Sequence, residues 1–136
     1  RQIKDLAAWE SQNRMPIDIT IAQLQEVASA KYGLQTEIVD DPTIDDIKEA
    51  LADGNPVIVP LAGRQLGNPY YSGAGPWYHM LVIVGYDATH FVTNDVGTKR
   101  GANYRYSYKV LHDAIHDWTG VKEEITRGKK TMLVVK

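Results

Sequence analysis

The sequence predicts an α+β fold, with helices first and a mostly antiparallel sheet after them. Three observations predict it. Helical spacing of apolar residues is confined to the first 54 positions and to one later stretch. Short β-like apolar runs dominate the second half. The longest such run, residues 79–86, is followed after a short polar gap by a second one, the pattern of a hairpin. At 136 residues the chain is sized for one domain, 1–136, with no internal repeat or linker.

The elements follow in order. Ile3, Leu6, Ala7 and Trp9 sit at near-helical spacing over residues 1–10, and Asn13 with Pro16 ends that pattern. Asp18 or Thr20 can cap a second helix, whose Ile21, Leu24, Val27 and Ala28 form one stripe and which Gly33 closes. Residues 35–39 read as a short strand. Thr43 caps a third helix that has Asp45 and Asp46 in its positive first turn, buries Ile44, Ile47 and Leu51, and stops before Gly54. Residues 56–61 form a strand with proline at its start, where a strand tolerates it.

The 62–78 segment holds glycines, prolines and aromatic residues, and a loop of that length and apolar content is expected to serve function. Residues 79–86 make a central strand, and 91–95 its hairpin partner. A basic turn, Gly97 to Gly101, precedes a fourth helix capped by Ser107, with Tyr108, Leu111, Ile115 and Trp118 on one face. Residues 131–135 form the last strand.

Composition narrows the function. A net charge of −2 leaves no basic excess to neutralise phosphates, so nucleic acid is not an expected partner. No window is long and apolar enough for a membrane span. The absence of cysteine excludes disulfides, thiolate metal sites and a cysteine nucleophile from these residues. The chain opens on Arg1, inside a helical pattern and without an apolar signal core, and reads as the C-terminal piece of a longer protein.

His79 carries the strongest chemical signal. It stands where a Gly/Pro-rich loop meets the most apolar strand, so a rigid backbone presents its ring to a loop. If Tyr86 pairs with His90 around a three-residue loop, Leu81 faces Asp95, and His79 lies diagonally beside Asp95. A carboxylate there can accept the Nδ1 proton and fix the tautomer. A four-residue loop shifts the register by one and brings Asn94 to that face instead.

Other candidates are weaker. His112 and His116 lie one helical turn apart but lack a third ligand and the glutamate of a zinc-peptidase helix, so no metal is expected. The Gly97–Gly101 turn lacks the ending of a phosphate loop. The pairs Asp40–Asp41 and Asp45–Asp46 lack the glycine and terminal glutamate of a calcium loop. Tyr70, Tyr71, Trp77 and Tyr78 form an aromatic loop that either lines a groove or covers the core edge.

The run from Tyr78 and His79 to Gly85-Tyr86-Asp87, followed by Phe91 to Asn94-Asp95, resembles the histidine and aspartate segments of the bacteriocin-processing-type cysteine peptidases, peptidase family thirty-nine. Upstream, Leu51, Gly54 and Pro56-Val57-Ile58-Val59 are similar to that family's helix-to-strand passage. The resemblance spans about residues 43–118, and Val96 departs from it where the family has proline. It implies a papain-like fold and hydrolysis of peptide or amide bonds, with His79 as general base and acid and Asp95 orienting it. It thereby favours the three-residue register.

Asn94, Trp77, Tyr78 and Arg64 would then border the substrate, with Arg64 contacting an acidic group. The family's cysteine and oxyanion-hole glutamine have no counterpart here, and Ser11 and Ser29 do not open helices, so neither replaces the cysteine. The resemblance therefore implies either a nucleophile outside these residues or a non-catalytic, peptide-binding relative. It implies no cofactor, a bacterial setting in export or the cell envelope, and a homodimer through any apolar surface that a missing N-terminal segment leaves open.

Overall fold

The computed structural model describes residues 19–71, 73, 75–95 and 102–136. The helix expected over 1–10, Ser11, Asp18 and the Gly97–Gly101 turn lie outside the described residues. Elements follow in the order α1 (Ile21–Tyr32), β1 (Thr36–Asp40), α2 (Ile44–Ala52), β2 (Val57–Leu61), a 3-10 turn (Gly63–Gln65), β3 (His79–Tyr86), β4 (His90–Asn94), β5 (Ala102–Ser107), α3 (Tyr108–Ala114), a second 3-10 segment (Lys122–Arg127) and β6 (Thr131–Val135). The six strands form one antiparallel sheet in the order β1-β6-β2-β3-β4-β5.

Two helices begin on reciprocal caps that the sequence announces. Thr20 Oγ1 accepts from Gln23 N–H at 3.1 Å while Gln23 Oε1 accepts from Thr20 N–H at 2.8 Å. Thr43 and Asp46 repeat the arrangement at 3.0 and 2.9 Å, the shorter aspartate serving where glutamate is usual. Gly33 closes α1 in the left-handed conformation, φ 60°.

Strand alternation sorts the core onto both faces of the sheet. Val57, Val59, Leu61, Leu81, Ile83, Phe91, Met132 and Val134 face α2 and α3, meeting Ile47 and Leu111. Ile58, Val82, Leu133 and Val135 face the other way, against Ile21, Leu24 and Ala28 of α1. The sheet is thus covered on both sides and its central strands β6, β2 and β3 read as continuous apolar runs.

Two expectations require correction. The fourth helix stops at Ala114, well short of Trp118, because Ile115 turns extended and bridges Leu61. The end of β2 needs backbone partners, and the 114–116 segment supplies them: Ala62 N–H donates to Ala114 O at 2.8 Å and His116 N–H to Pro60 O at 3.0 Å. Lys130 Nζ then donates to the open carbonyls of His112, Asp113 and Ile115 at 2.8, 3.3 and 3.3 Å, a cationic cap on the negative end of α3. The second correction is β5, a strand over residues for which the sequence pattern predicts no element. It pairs along β4, with Phe91 opposite Tyr106 and Thr93 opposite Tyr104.

Asp117 ties the two ends of the described chain together. Its buried carboxylate accepts from Ile21 N–H at 3.1 Å and Trp118 N–H at 2.9 Å, so it caps α1 from 96 residues away. Its own N–H donates to Lys129 O at 2.8 Å, which draws Gly128 so close that a Cβ there would lie 1.9 Å from Asp117 O. Gly128→Ala is expected to destabilise the protein by about 3 kcal/mol or more in urea unfolding. Thr43→Ala, which removes only a cap, is expected to cost about 1 kcal/mol in the same measurement.

Candidate active site

The hairpin β3–β4 sets the site. At its turn Tyr86 pairs with Phe91 and Gly85 with Val92, the register of a four-residue loop. This corrects the expected pairing of Tyr86 with His90. Asp87 stabilises the turn, its Oδ1 accepting from the N–H of Thr89 and of His90 at 2.9 Å each. The register then shifts between Ile83 and Gly85, where Val84 is an extra residue, and the remaining pairs are Ile83 with Thr93 and Val82 with Asn94. Continued by one residue, that register sets Asp95 opposite Leu81, the arrangement expected of a three-residue loop. The bulge reconciles the two registers.

His79 and Asp95 consequently meet. His79 Nε2 lies 2.9 Å from Asp95 Oδ1, with the imidazole side chain 22% exposed and the carboxylate side chain 2%. The ring nitrogen facing the carboxylate is Nε2, not the expected Nδ1, because the ring reaches across the diagonal of the strand pair and presents its far edge. An ionised Asp95 can only accept, so Nε2 carries the proton and Nδ1 is the basic nitrogen of the neutral ring. Among the described residues, Nδ1 has no hydrogen-bond partner.

The other oxygen of Asp95 has a partner that the sequence did not reveal. Tyr71 O–H donates to Asp95 Oδ2 at 2.8 Å, and its ring stands edge-on to His79 at 5.7 Å between centroids. Asn68 Nδ2 donates to the Tyr106 hydroxyl at 2.8 Å, and Asn68 Oδ1 accepts from Tyr70 N–H at 2.8 Å. Asn68 thus holds the Tyr106 phenol, and Tyr71 holds the carboxylate. Burial, then the charge of Asp95 and the bond to it, hold the Tyr71 phenol far above the ordinary tyrosine range. Burial raises Tyr106 as well, against the lowering effect of the Asn68 donor.

The remaining site expectations divide. Asn94 alternates with Thr93 and Asp95 along the strand and points to the opposite sheet face, so it does not reach His79. Tyr78 is 3% exposed and its hydroxyl donates to Ile19 O at 2.7 Å; it forms part of a wall with Trp118, centroids 5.1 Å apart. Trp77 is exposed, and Arg64 Cζ lies 4.0 Å from the centre of its ring. The aromatic loop therefore divides: Tyr71 and Tyr78 turn inward, and Tyr70 and Trp77 outward. His112 and His116 share no helix face, since the helix ends between them. His112 Nε2 is 2.8 Å from Pro42 O and His116 Nδ1 is 2.9 Å from Gly128 O, so each ties down a loop carbonyl. Among the described residues, no three His, Asp or Glu side chains gather to hold a metal, and no helix is long and apolar enough to cross a membrane.

Residues 12–125 match the model of the Peptidase_C39 like family. The chain belongs to that family. A crystal structure from Bacillus anthracis, named for a C39-like peptidase, superposes with a TM-score of 0.59 at 12% identity. The match covers 87% of this chain and 60% of that one, so the present chain spans about three-fifths of its length. At that identity the likeness establishes the fold, and the α+β, papain-like class expected from the sequence stands. No curated protein matches the sequence. Within this C39-like fold, His79 and Asp95 lie at the open end of the β3–β4 hairpin, with Tyr71 closing the side toward β5.

The buried phenols give the C39-like chain a defined alkaline limit. Tyrosines of the unfolded chain ionise near pH 10, whereas Tyr71 and Tyr106 keep their protons above it. Above that pH the unfolded state holds fewer protons, so stability is full below about pH 10 and falls as pH rises. An absorbance titration of tyrosinate is expected to leave these two phenols protonated until the protein unfolds. Tyr71→Phe, which removes a donor to a charged acceptor, is expected to cost about 2 kcal/mol at neutral pH in urea unfolding.

Proposed function

We propose that His79 and Asp95 form the acid–base half of a cysteine-peptidase-type site that hydrolyses peptide or related amide bonds. The observation that supports this reading best is the buried Asp95 carboxylate on His79 Nε2, which leaves Nδ1 as the basic nitrogen at a partly exposed position. Membership of a peptidase-like family agrees with it.

In this reading Nδ1 takes the proton from a cysteine thiol, and the thiolate attacks the scissile carbonyl. The resulting imidazolium, stabilised by Asp95, gives that proton to the departing amine as the carbon–nitrogen bond breaks. Water, deprotonated by the same nitrogen, then hydrolyses the thioester and restores the thiol. Tyr71 holds the second oxygen of Asp95 throughout, so the carboxylate keeps the geometry that selects the tautomer. The thiol itself is not among these 136 residues, which contain no cysteine. Residues 1–136 alone are therefore expected to show no turnover of peptide amides.

The test uses the protein as its source organism makes it. A peptidyl epoxide, which traps activated thiols, is expected to label it, and mass spectrometry locates the modified cysteine. His79→Ala is expected to slow labelling and peptide hydrolysis by about 10²–10⁴-fold. An unlabelled protein, or labelling and hydrolysis indifferent to His79→Ala, overturns the proposal. Turnover by residues 1–136 that is lost in His79→Ala would place the nucleophile among these residues instead.

The absence of cysteine favours one second reading, a peptide-binding relative that does not cut. Such a protein would keep its affinity for peptide in His79→Ala and lose it in Trp77→Ala, measured by calorimetry.

A further inference from the structure

On the segment that leads into β3, two cations share one exposed indole. Arg64 Cζ lies 4.0 Å from the centre of the Trp77 ring, and Lys122 Nζ lies 5.9 Å from it. Both distances are within reach of the cation–π attraction. The position of Arg64 is built. Its Nε donates to Gly75 O at 3.1 Å, and the turn that carries it is pressed onto the strand-ward segment, since a Cβ on Gly63 would lie 2.6 Å from Pro76 O. The guanidinium is thus fixed by its inner nitrogen and its stacked face, while its two Nη groups make no hydrogen bond among the described residues.

Neither cation has a carboxylate in ion-pair contact among the described residues. Two like charges at one ring repel each other, and no carboxylate among the described residues offsets that repulsion in contact. Glu123 lines the neighbouring cleft without bridging to either cation, which leaves the locality with a positive excess. That cleft, of about 580 Å³, is walled by Pro76, Trp77, Tyr78, Trp118 and Val121. Tyr78 and Trp118 are packed against each other, so the wall is preformed. Its size suits a few side chains. Trp77 is two residues before His79 in the chain.

We propose that Arg64, Trp77 and Lys122 form a subsite for an acidic side chain of a peptide, and that the adjoining cleft takes an apolar side chain next to it. A carboxylate pairs with the free fork of Arg64 while Lys122 adds a second charge. The indole and Trp118 supply apolar surface beside it. The inference deepens the peptidase-type reading by naming the substrate it favours, and it is tested by binding alone.

The probes are two N-acetylated, C-amidated hexapeptides that differ only in glutamate or glutamine beside a leucine. Binding to residues 1–136 is followed by tryptophan fluorescence at low salt and at physiological salt. The glutamate peptide is expected to bind about tenfold more tightly at low salt, a difference of about 1.4 kcal/mol, and to lose most of that advantage as salt screens the charges. Arg64→Gln, at an exposed position, is expected to fold normally by circular dichroism and to abolish the preference. Equal binding of the two peptides, no binding of either, or a preference that survives Arg64→Gln overturns the subsite. Because no turnover is read, such a failure leaves the His79 experiment standing, and an inert His79 leaves the binding preference standing.

Discussion

The pairing of β3 with β4 is the constraint on which the rest depends. In a strand pair, a slip of one residue sends every side chain to the opposite face. Between the turn and the site the register must change once, and it does so at Val84. On one side of the bulge, Phe91 meets the core beneath α2 and α3. On the other, Asp95 meets His79. A hairpin without the extra residue could satisfy the turn or the His79–Asp95 contact, but not both, so a backbone irregularity in the middle of the sheet couples core packing to that contact.

A second constraint is the solvation of a carboxylate inside protein. Asp95 is 4% exposed, and an ionised acid at that depth is tolerated only with donors on its oxygens. His79 supplies one and Tyr71 another. Tyr71 needs the 68–71 turn, which Asn68 organises, and Asn68 needs Tyr106 on β5. The need to satisfy one charge thus organises a loop and fixes its attachment to an edge strand. It also explains why aromatic residues whose rings could serve packing alone end here on hydroxyl contacts.

Much of this was legible before the fold was known. Thr20 and Thr43 announce their helices because capping is local chemistry, complete within four residues. The 79–86 and 131–135 runs were legible because strand alternation constrains them, whereas for His79 alternation left Asn94 and Asp95 both open and the family resemblance favoured Asp95. β5 was not legible, because Asn103 and Arg105 break up its apolar content, although the alternation of Tyr104 and Tyr106 was a usable signal. The end of α3 was hidden because Ile115 continues the helical stripe while its backbone is claimed by β2, a competition invisible in one dimension. Gly85, inside an apolar strand, was the available hint of a bulge. Tyr71 was visible only as one member of an aromatic loop, and its contact with Asp95 was hidden because it depends on the path of a loop without periodicity.

The strand order carries a consequence for how the molecule comes into being. β6 is last among the elements yet lies between β1 and β2, pairing with both. During synthesis the first helices and strands emerge with a gap in the middle of their sheet, and α1 waits for Asp117 to complete its first turn. The local hairpins β2–β3–β4–β5 can assemble early, because short-range contacts cost little loop entropy. β1 can join the sheet only after Thr131–Val135 is free to enter the gap, because β6 is the strand it pairs with. Until then two unpaired strand edges stand open to other chains. The topology therefore ties the incorporation of an early strand to the arrival of the last one, so the sheet cannot close in the order in which the ribosome delivers it.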